Sequence, residues 1–519
     1  MKTTHPVTRA ALGVAALVTI AVLANWLVAL TPFGNRGADF TENKVHTLSE
    51  GTRSILGELD TPVVIRYYAT RNSDYMPQEL KLHMRRVDDL LKEYASLSKG
   101  KLRIENLDPE PDTDAEDSAN LDGINGQRMD DQNLYFGLAV SCLDKVSVIP
   151  FIDPREETML EYQISKAVAE VVAPTKPKLG IMSGIDMKGS PAMMPGQPST
   201  PPWVIYQQLK QSYDVVDISM EPATIDPKEI KVLLLFHPAG ITPDVEYSID
   251  QYVLNGGTVV ACLDAYSVSA QMMGGGNPMM GQQGTPTTST LPTLLSAWGV
   301  NFESGQVLAD PQLATRLGGD RLGLAVPTLN KDQMPVKDSV ITKDLGSVIL
   351  FLPGAFTKTG KEGIAATTLI QSTPQAGFVD AMRASQLDPT IARTLKSNGT
   401  AYDLVTHLSG TFKTAFPDGK PKSEIDGVEN KDAPKIEPLK EGVAPGNIFL
   451  IADIDAFYDR FAYNVQNFGG TQMASPSNAN PSLLLNLLDQ ATGSKYLIGS
   501  RSRSALRRPF KVVQKMEDD

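Results

Sequence analysis

The chain has 519 residues, 41% hydrophobic and 21% charged, with 60 acidic residues against 48 basic ones for a net charge of −12. That length exceeds one core and predicts two or three domains, while the acidic balance excludes a general nucleic-acid surface. Two cysteines exclude a small disulfide-stapled domain, and five histidines, none paired at metal spacing, weigh against a zinc enzyme.

From Ala10 to Leu30 the sequence is uncharged, with only Thr19 and Asn25 appreciably polar. At ~1.5 Å rise per residue this run matches a hydrocarbon core of ~30 Å. Lys2 and Arg9 precede it, so the positive-inside bias sets the N-terminus in the cytoplasm and the rest outside. The run exceeds a signal-peptide h-region of ~7–15 residues, and no small-x-small cleavage site follows. It reads as an uncleaved anchor with Trp26 at the interface, and 1–36 as cytoplasmic tip plus anchor.

Next, Thr47 to Glu50 fits a capping box, and Ile55, Leu56 and Leu59 give the following short helix an apolar face. PVVIRYYA and KLRIENLD read as strands. Between them a helix over 77–97 carries Leu80, Met84, Val87, Leu90, Leu91 and Tyr94 on one stripe. The acidic run 108–117 contains prolines and lacks the glycine a calcium loop needs, so it reads as a solvated loop. NLYFGLAVSC and KVSVIPFI then form a hairpin, followed by a helix over 156–172. The order β-α-β, hairpin, α predicts a thioredoxin-like domain over 37–173, without the C-x-x-C pair of redox members.

Past a PTKPK boundary the rhythm becomes strand–helix alternation: KLGIMSG, WVIYQQLKQ, YDVVDIS, IKVLLLFHP, PDVEYSIDQYVLNGG, TVVACLDA. Short apolar strands alternating with amphipathic helices predict a parallel, doubly wound, Rossmann-like sheet over 177–310. GNIFLIADIDAF and PSLLLNLLDQATG, within 446–500, supply its closing strand and helix. The stretch 311–445 reads as a large insertion or subdomain with several strands, and 501–519 as a basic-then-acidic tail. Two Gly/Pro-rich stretches, 187–202 and 271–290, each follow a parallel strand and so leave the same edge of the sheet, where such proteins bind ligands. Their methionines, Met187, Met193, Met194, Met272, Met273, Met279 and Met280, are candidate contacts for a partner or substrate, and soft ligands for Cu(I).

Catalytic motifs are weak. GAFTKTGKE (354–362) misses a phosphate loop in spacing and ends in Glu where Ser or Thr must hold magnesium. Neither G-x-G-x-x-G nor G-x-S-x-G occurs where a dinucleotide or a nucleophile elbow needs it. Cys262 ends a strand where an amidotransferase would carry its nucleophile, yet Leu263 and Asp264 crowd the turn; only His237 or His407 is available as a base. The competing reading of Cys262, and of Cys142, is a buried core thiol. Asp453, Asp455 and Asp459 either hold a divalent cation or cap the next helix and pair with Arg460. Basic residues from Lys495 to Lys515 either meet acidic head groups or an acidic partner, or form a solvated tail.

Several phrases in order resemble the GldG-type auxiliary proteins of uncharacterised ABC transport systems, a family that includes a gliding-motility component. They include NKVHTLSEGT (43–52), RVDDLLKEYASLSKGKLRIENLDPEP (86–111), IPFIDPREETMLEYQISKAV (149–168), YSIDQYVLNGGTVVACLDAY (247–266), IADIDAFYDRF (451–461) and SRSRSALRRPF (500–510). The resemblance implies a bacterial inner-membrane protein with a periplasmic body, beside a separate permease and ATPase. It also implies a second domain like a class I glutamine amidotransferase without catalytic residues. Relatives typically continue past the RPF phrase into a second span, whereas this sequence ends at Asp519. The expectation is therefore a non-enzymatic, anchored auxiliary subunit with no catalytic, cofactor or metal residues. The alternatives are a cysteine hydrolase or amidotransferase using Cys262, and a structural envelope protein without a transporter.

Overall fold

The structure, a computed structural model, describes Thr19 and residues 48–493 apart from 72–76, 125, 130–131, 173–175, 191–199, 223, 274–283, 319–320, 338, 344, 422–437 and 469–470. The expected span from Ala10 to Leu30, Thr19 aside, and the basic segment from Lys495 onward lie outside the described residues. Among the described residues no helix is long and apolar enough to cross a membrane. The chain divides into two units, Met1–Leu48 and Ser49–Asp519, and nearly all described residues belong to the second.

Its first part begins with α1 (Glu50–Gly57), capped not by Thr47 but by Ser49, whose hydroxyl accepts the Thr52 N–H. There follow β1 (Val63–Ala69), α2 (Gln78–Leu97), β2 (Leu102–Leu107), α3 (Asp114–Leu121), β3 (Phe136–Cys142), β4 (Lys145–Ile149) and α4 (Leu160–Val172). The strands lie in the order β2-β1-β3-β4; β1 and β2 are parallel and the other pairs antiparallel. Buried hydroxyls tie three helices together: Ser165 Oγ on α4 meets Thr52 Oγ1 of α1 at 2.8 Å and Tyr94 Oη of α2 at 2.6 Å. The acidic stretch 108–117, expected as a loop, becomes helical at Asp114. Thr113 caps this helix, and Asp114, Glu116 and Asp117 in its first turn complement the positive end of its dipole.

The second part builds a nine-stranded sheet. Its elements are β5 (Lys178–Ser183), α5 (Val204–Ser212), β6 (Asp214–Ile218), β7 (Val232–Phe236), α6 (Pro243–Leu254), β8 (Thr258–Cys262), α7 (Val268–Met273), α8 (Pro292–Trp298), β9 (Val300–Phe302), β10 (Phe356–Lys358), β11 (Ile364–Gln371), β12 (Asp403–Gly410), β13 (Gly446–Ile451) and α9 (Asn480–Thr492). Five strands run parallel in the order β6-β5-β7-β8-β13. From β13 the sheet continues antiparallel through β12 to β10 and β9, with β11 also on β12. Thus the stretch 311–445 contributes β10, β11 and β12 to this sheet, along with smaller antiparallel pairings such as Leu322–Leu329 with Val348–Ile349.

Both faces of the parallel strands are buried, which is why β7 reads VLLLF without a polar residue. On one face Leu234, Phe236, Val260 and Phe449 pack with Ile205 and Leu209 of α5 and Leu484 and Leu488 of α9. On the other, Leu233, Leu235, Val259 and Leu450 pack with Ile249 and Val253 of α6 and Trp298 of α8. Just past β5, Gly184 donates its N–H to Phe236 O at 3.1 Å. A Cβ at this position would lie 2.3 Å from His237 O, so only glycine permits the contact. His237 itself takes a left-handed φ of +50°.

Candidate functional site

Because the five strands are parallel, the loops after each leave one carboxyl edge, the usual ligand edge of such sheets. Two residues past β8 stands Asp264, and two past the neighbouring β13 stands Asp453; Asp455 follows. The three carboxylates are fully buried, with one oxygen of each within 4.8 Å of the others. They are the only such group among the described residues close enough to hold a metal ion.

Their surroundings are backbone N–H groups. Asp264 accepts from Tyr266 at 2.9 Å and, more distantly, from Ile454 at 3.4 Å. Asp453 accepts from Phe351 and from Ala456 at 3.2 Å. Asp455 accepts from Ser269 N at 2.9 Å, Ser267 Oγ at 3.1 Å and Val268 N, capping α7. No ion pair reaches the triad among the described residues. Burial, reinforced by their mutual repulsion, pushes Asp264 and Asp453 well above the usual carboxylate range, and burial also raises Asp455. Three such groups cannot all be ionised together without a cation, so they share protons or hold one; hard carboxylate oxygens suit a divalent ion. The hydrogen bonds make the set first of all a knot joining β8, β13 and α7.

Of the expected aspartates, Asp459 stands apart: its Oδ1 accepts the N–H of Val204 at 2.8 Å, at the start of α5. Arg460 does not pair with the cluster as expected, and its Nη1 lies 4.0 Å from Met272 Sδ. Asp264 was the residue sequence reasoning missed. The signal was present, since ACLD and LIAD both place an aspartate two residues beyond an apolar strand.

Cys262 is free and fully buried, and Cys142 is free and buried. Burial first, then Asp453 and Asp264, raise the Cys262 thiol, the opposite of nucleophile activation. Neither candidate base serves it. His237 is buried with Nε2 2.8 Å from Pro286 O, and burial lowers its pKa. His407 stacks on Phe449 at 4.3 Å and reaches Asn447 Oδ1 at 2.9 Å. GAFTKTGKE is no phosphate cradle, as its FTK is β10.

The methionines divide. Met187 is 2% exposed and packs with the core, and it also lines a cavity at the ends of β5 and β6. Met272 is half exposed at the end of α7, and Met273 packs partly against the core. Met193, Met194, Met279 and Met280 lie outside the described residues.

Residues 176–487 match the family described as an ABC-type uncharacterized transport system. The chain belongs to this family. Its members are auxiliary components of such a system. Residues 42–141 match a domain of unknown function, DUF7088. An uncharacterized protein of Borreliella burgdorferi is 20% identical over 322 residues, 59% of this chain. The chain spans 57% of that relative's length. Among solved structures it is similar to the mmIFT52 N-terminal domain, at 8% identity and TM-score 0.30, over 60% of this chain and 96% of that one. A ThuA-like protein from Bacteroides uniformis shows 12% identity and TM-score 0.22, over 45% and 78% of the two chains.

Proposed function

We propose that this chain is a non-enzymatic, single-pass inner-membrane subunit of an ABC transport complex, of the GldG type. In this reading Ala10 to Leu30 anchors it beside the permease. The remainder is periplasmic and engages substrate or another envelope protein. Its first domain is thioredoxin-like, and its second is amidotransferase-like without a working nucleophile. The observation that carries the reading is the family match across 176–487. The buried, raised thiol of Cys262 supports the non-catalytic part, because the fold's nearest nucleophile is neither exposed nor paired with a base.

A mild-detergent affinity pulldown of the full-length chain, followed by mass spectrometry, tests it. Recovery of a P-loop ATPase together with a polytopic permease is expected. Recovery of neither, from a preparation in which other membrane complexes stay intact, would overturn the assignment in favour of a free-standing envelope protein.

A further inference from the structure

At the carboxyl ends of β5 and β6 lies a cavity of about 270 Å³. Its polar lining is Ser183, Asp186, Lys188, Tyr206 and Asp217. Lys188 Nζ reaches Asp217 Oδ2 at 3.0 Å. The Tyr206 hydroxyl stands 3.5 Å from both Asp217 oxygens, far longer than the ~2.7–2.8 Å usual for O–H···O bonds. Asp217 therefore has acceptor capacity to spare. Asp186 accepts the backbone N–H of Lys188 at 3.0 Å and has no cationic partner among the described residues. Two carboxylates face one ammonium, so the lining carries an uncompensated negative charge. Behind these groups Ile181, Ile185 and Ile218 supply an apolar wall.

We propose that this cavity binds a small organic cation, a primary ammonium on a short apolar stem. The ammonium sits between Asp186 and Asp217, where its charge-assisted hydrogen bonds replace the long contacts now made to Asp217. The stem lies on the isoleucines. The volume falls below the ~300–1,000 Å³ of drug-sized pockets, which limits the occupant to a compact molecule. Lys188 competes for Asp217 and so tempers affinity. This inference is independent of the transporter reading, because binding is measured on the isolated chain.

Calorimetric titration of the full-length chain in detergent with butylammonium, butyrate and butanol tests it. Saturable binding of butylammonium is expected, with butyrate and butanol at least tenfold weaker. Asp186→Asn and Asp217→Asn should each weaken butylammonium at least tenfold, whereas Lys188→Met should tighten it severalfold. Asp186 and Lys188 are exposed, so their variants keep the fold, which an unchanged unfolding midpoint verifies. Absence of butylammonium binding to the parent chain overturns the proposal, as does equal binding to the Asp186→Asn variant. Preference for butyrate, abolished by Lys188→Met, also overturns it by making the lysine an anion receptor.

Discussion

The carboxyl edge of one parallel sheet carries two groups of carboxylates built in opposite ways. Asp264, Asp453 and Asp455, beyond β8 and β13, are fully buried and satisfied chiefly by backbone N–H groups. Asp186 and Asp217, beyond β5 and at the end of β6, are solvent-accessible: one lysine and a distant tyrosine hold Asp217, and Asp186 accepts only a backbone N–H. The same functional group thus fastens the fold in one place and is left available in the other. What separates them is whether the local backbone turns its donors inward: the α7 N-terminus does so for Asp455, and no helix start does so for Asp217.

The sharpest way to break this contrast is Asp455→Ala. It strands the buried Ser269 N–H and the half-buried Val268 N–H and takes one partner from the Ser267 hydroxyl, and should cost about 3 kcal/mol in denaturant unfolding. A loss under about 1 kcal/mol would mean the triad is not a structural knot. The triad should also make stability fall as pH rises. With folded pKa values raised, Asp264 and Asp453 contribute fully below the ordinary carboxylate range, and that contribution is lost as pH climbs through their raised values. Asp264→Asn should flatten this decline in the unfolding midpoint. A midpoint at neutral pH that drops on adding a chelator would instead show that a cation neutralises the site. A smaller effect, about 1 kcal/mol, is expected from Asp459→Ala, which frees the Val204 N–H at the start of α5. Smallest of all, Lys188→Met should move stability by no more than about 0.5 kcal/mol, since it removes only an exposed ion pair.

Much of the fold could be read directly. VLLLF and TVVAC are short apolar runs that only strands buried on both faces need, and the α2 stripe announces its own buried side. The antiparallel half was harder. In β11 (IAATTLIQ) and β12 (DLVTHLSG) threonine and histidine interrupt the apolar pattern, because β12 pairs on both edges while its faces differ in exposure. The triad was half legible for a related reason. Asp453 and Asp455 are neighbours in sequence, but Asp264 joins them only through the pairing of β8 with β13, and side-chain pattern does not encode which distant strands become adjacent. The cavity at β5 and β6 was legible only in part: the stretch 187–202 that supplies Met187 and Lys188 stood out as a contact loop, whereas Asp186 and Asp217 are ordinary loop and strand-end charges until the fold brings them together.

The contact between Gly184 and His237 has a consequence for access. In a sheet wound in this order the natural doorway lies between the ends of β5 and β7, where successive connections diverge to opposite faces. Here main chain lies against main chain at that spot, closely enough that a single methyl group would force the strands' ends apart. Backbone fills the gap between Gly184 and His237, and the cavity lined by Asp186 and Asp217 lies one strand toward the β6 edge.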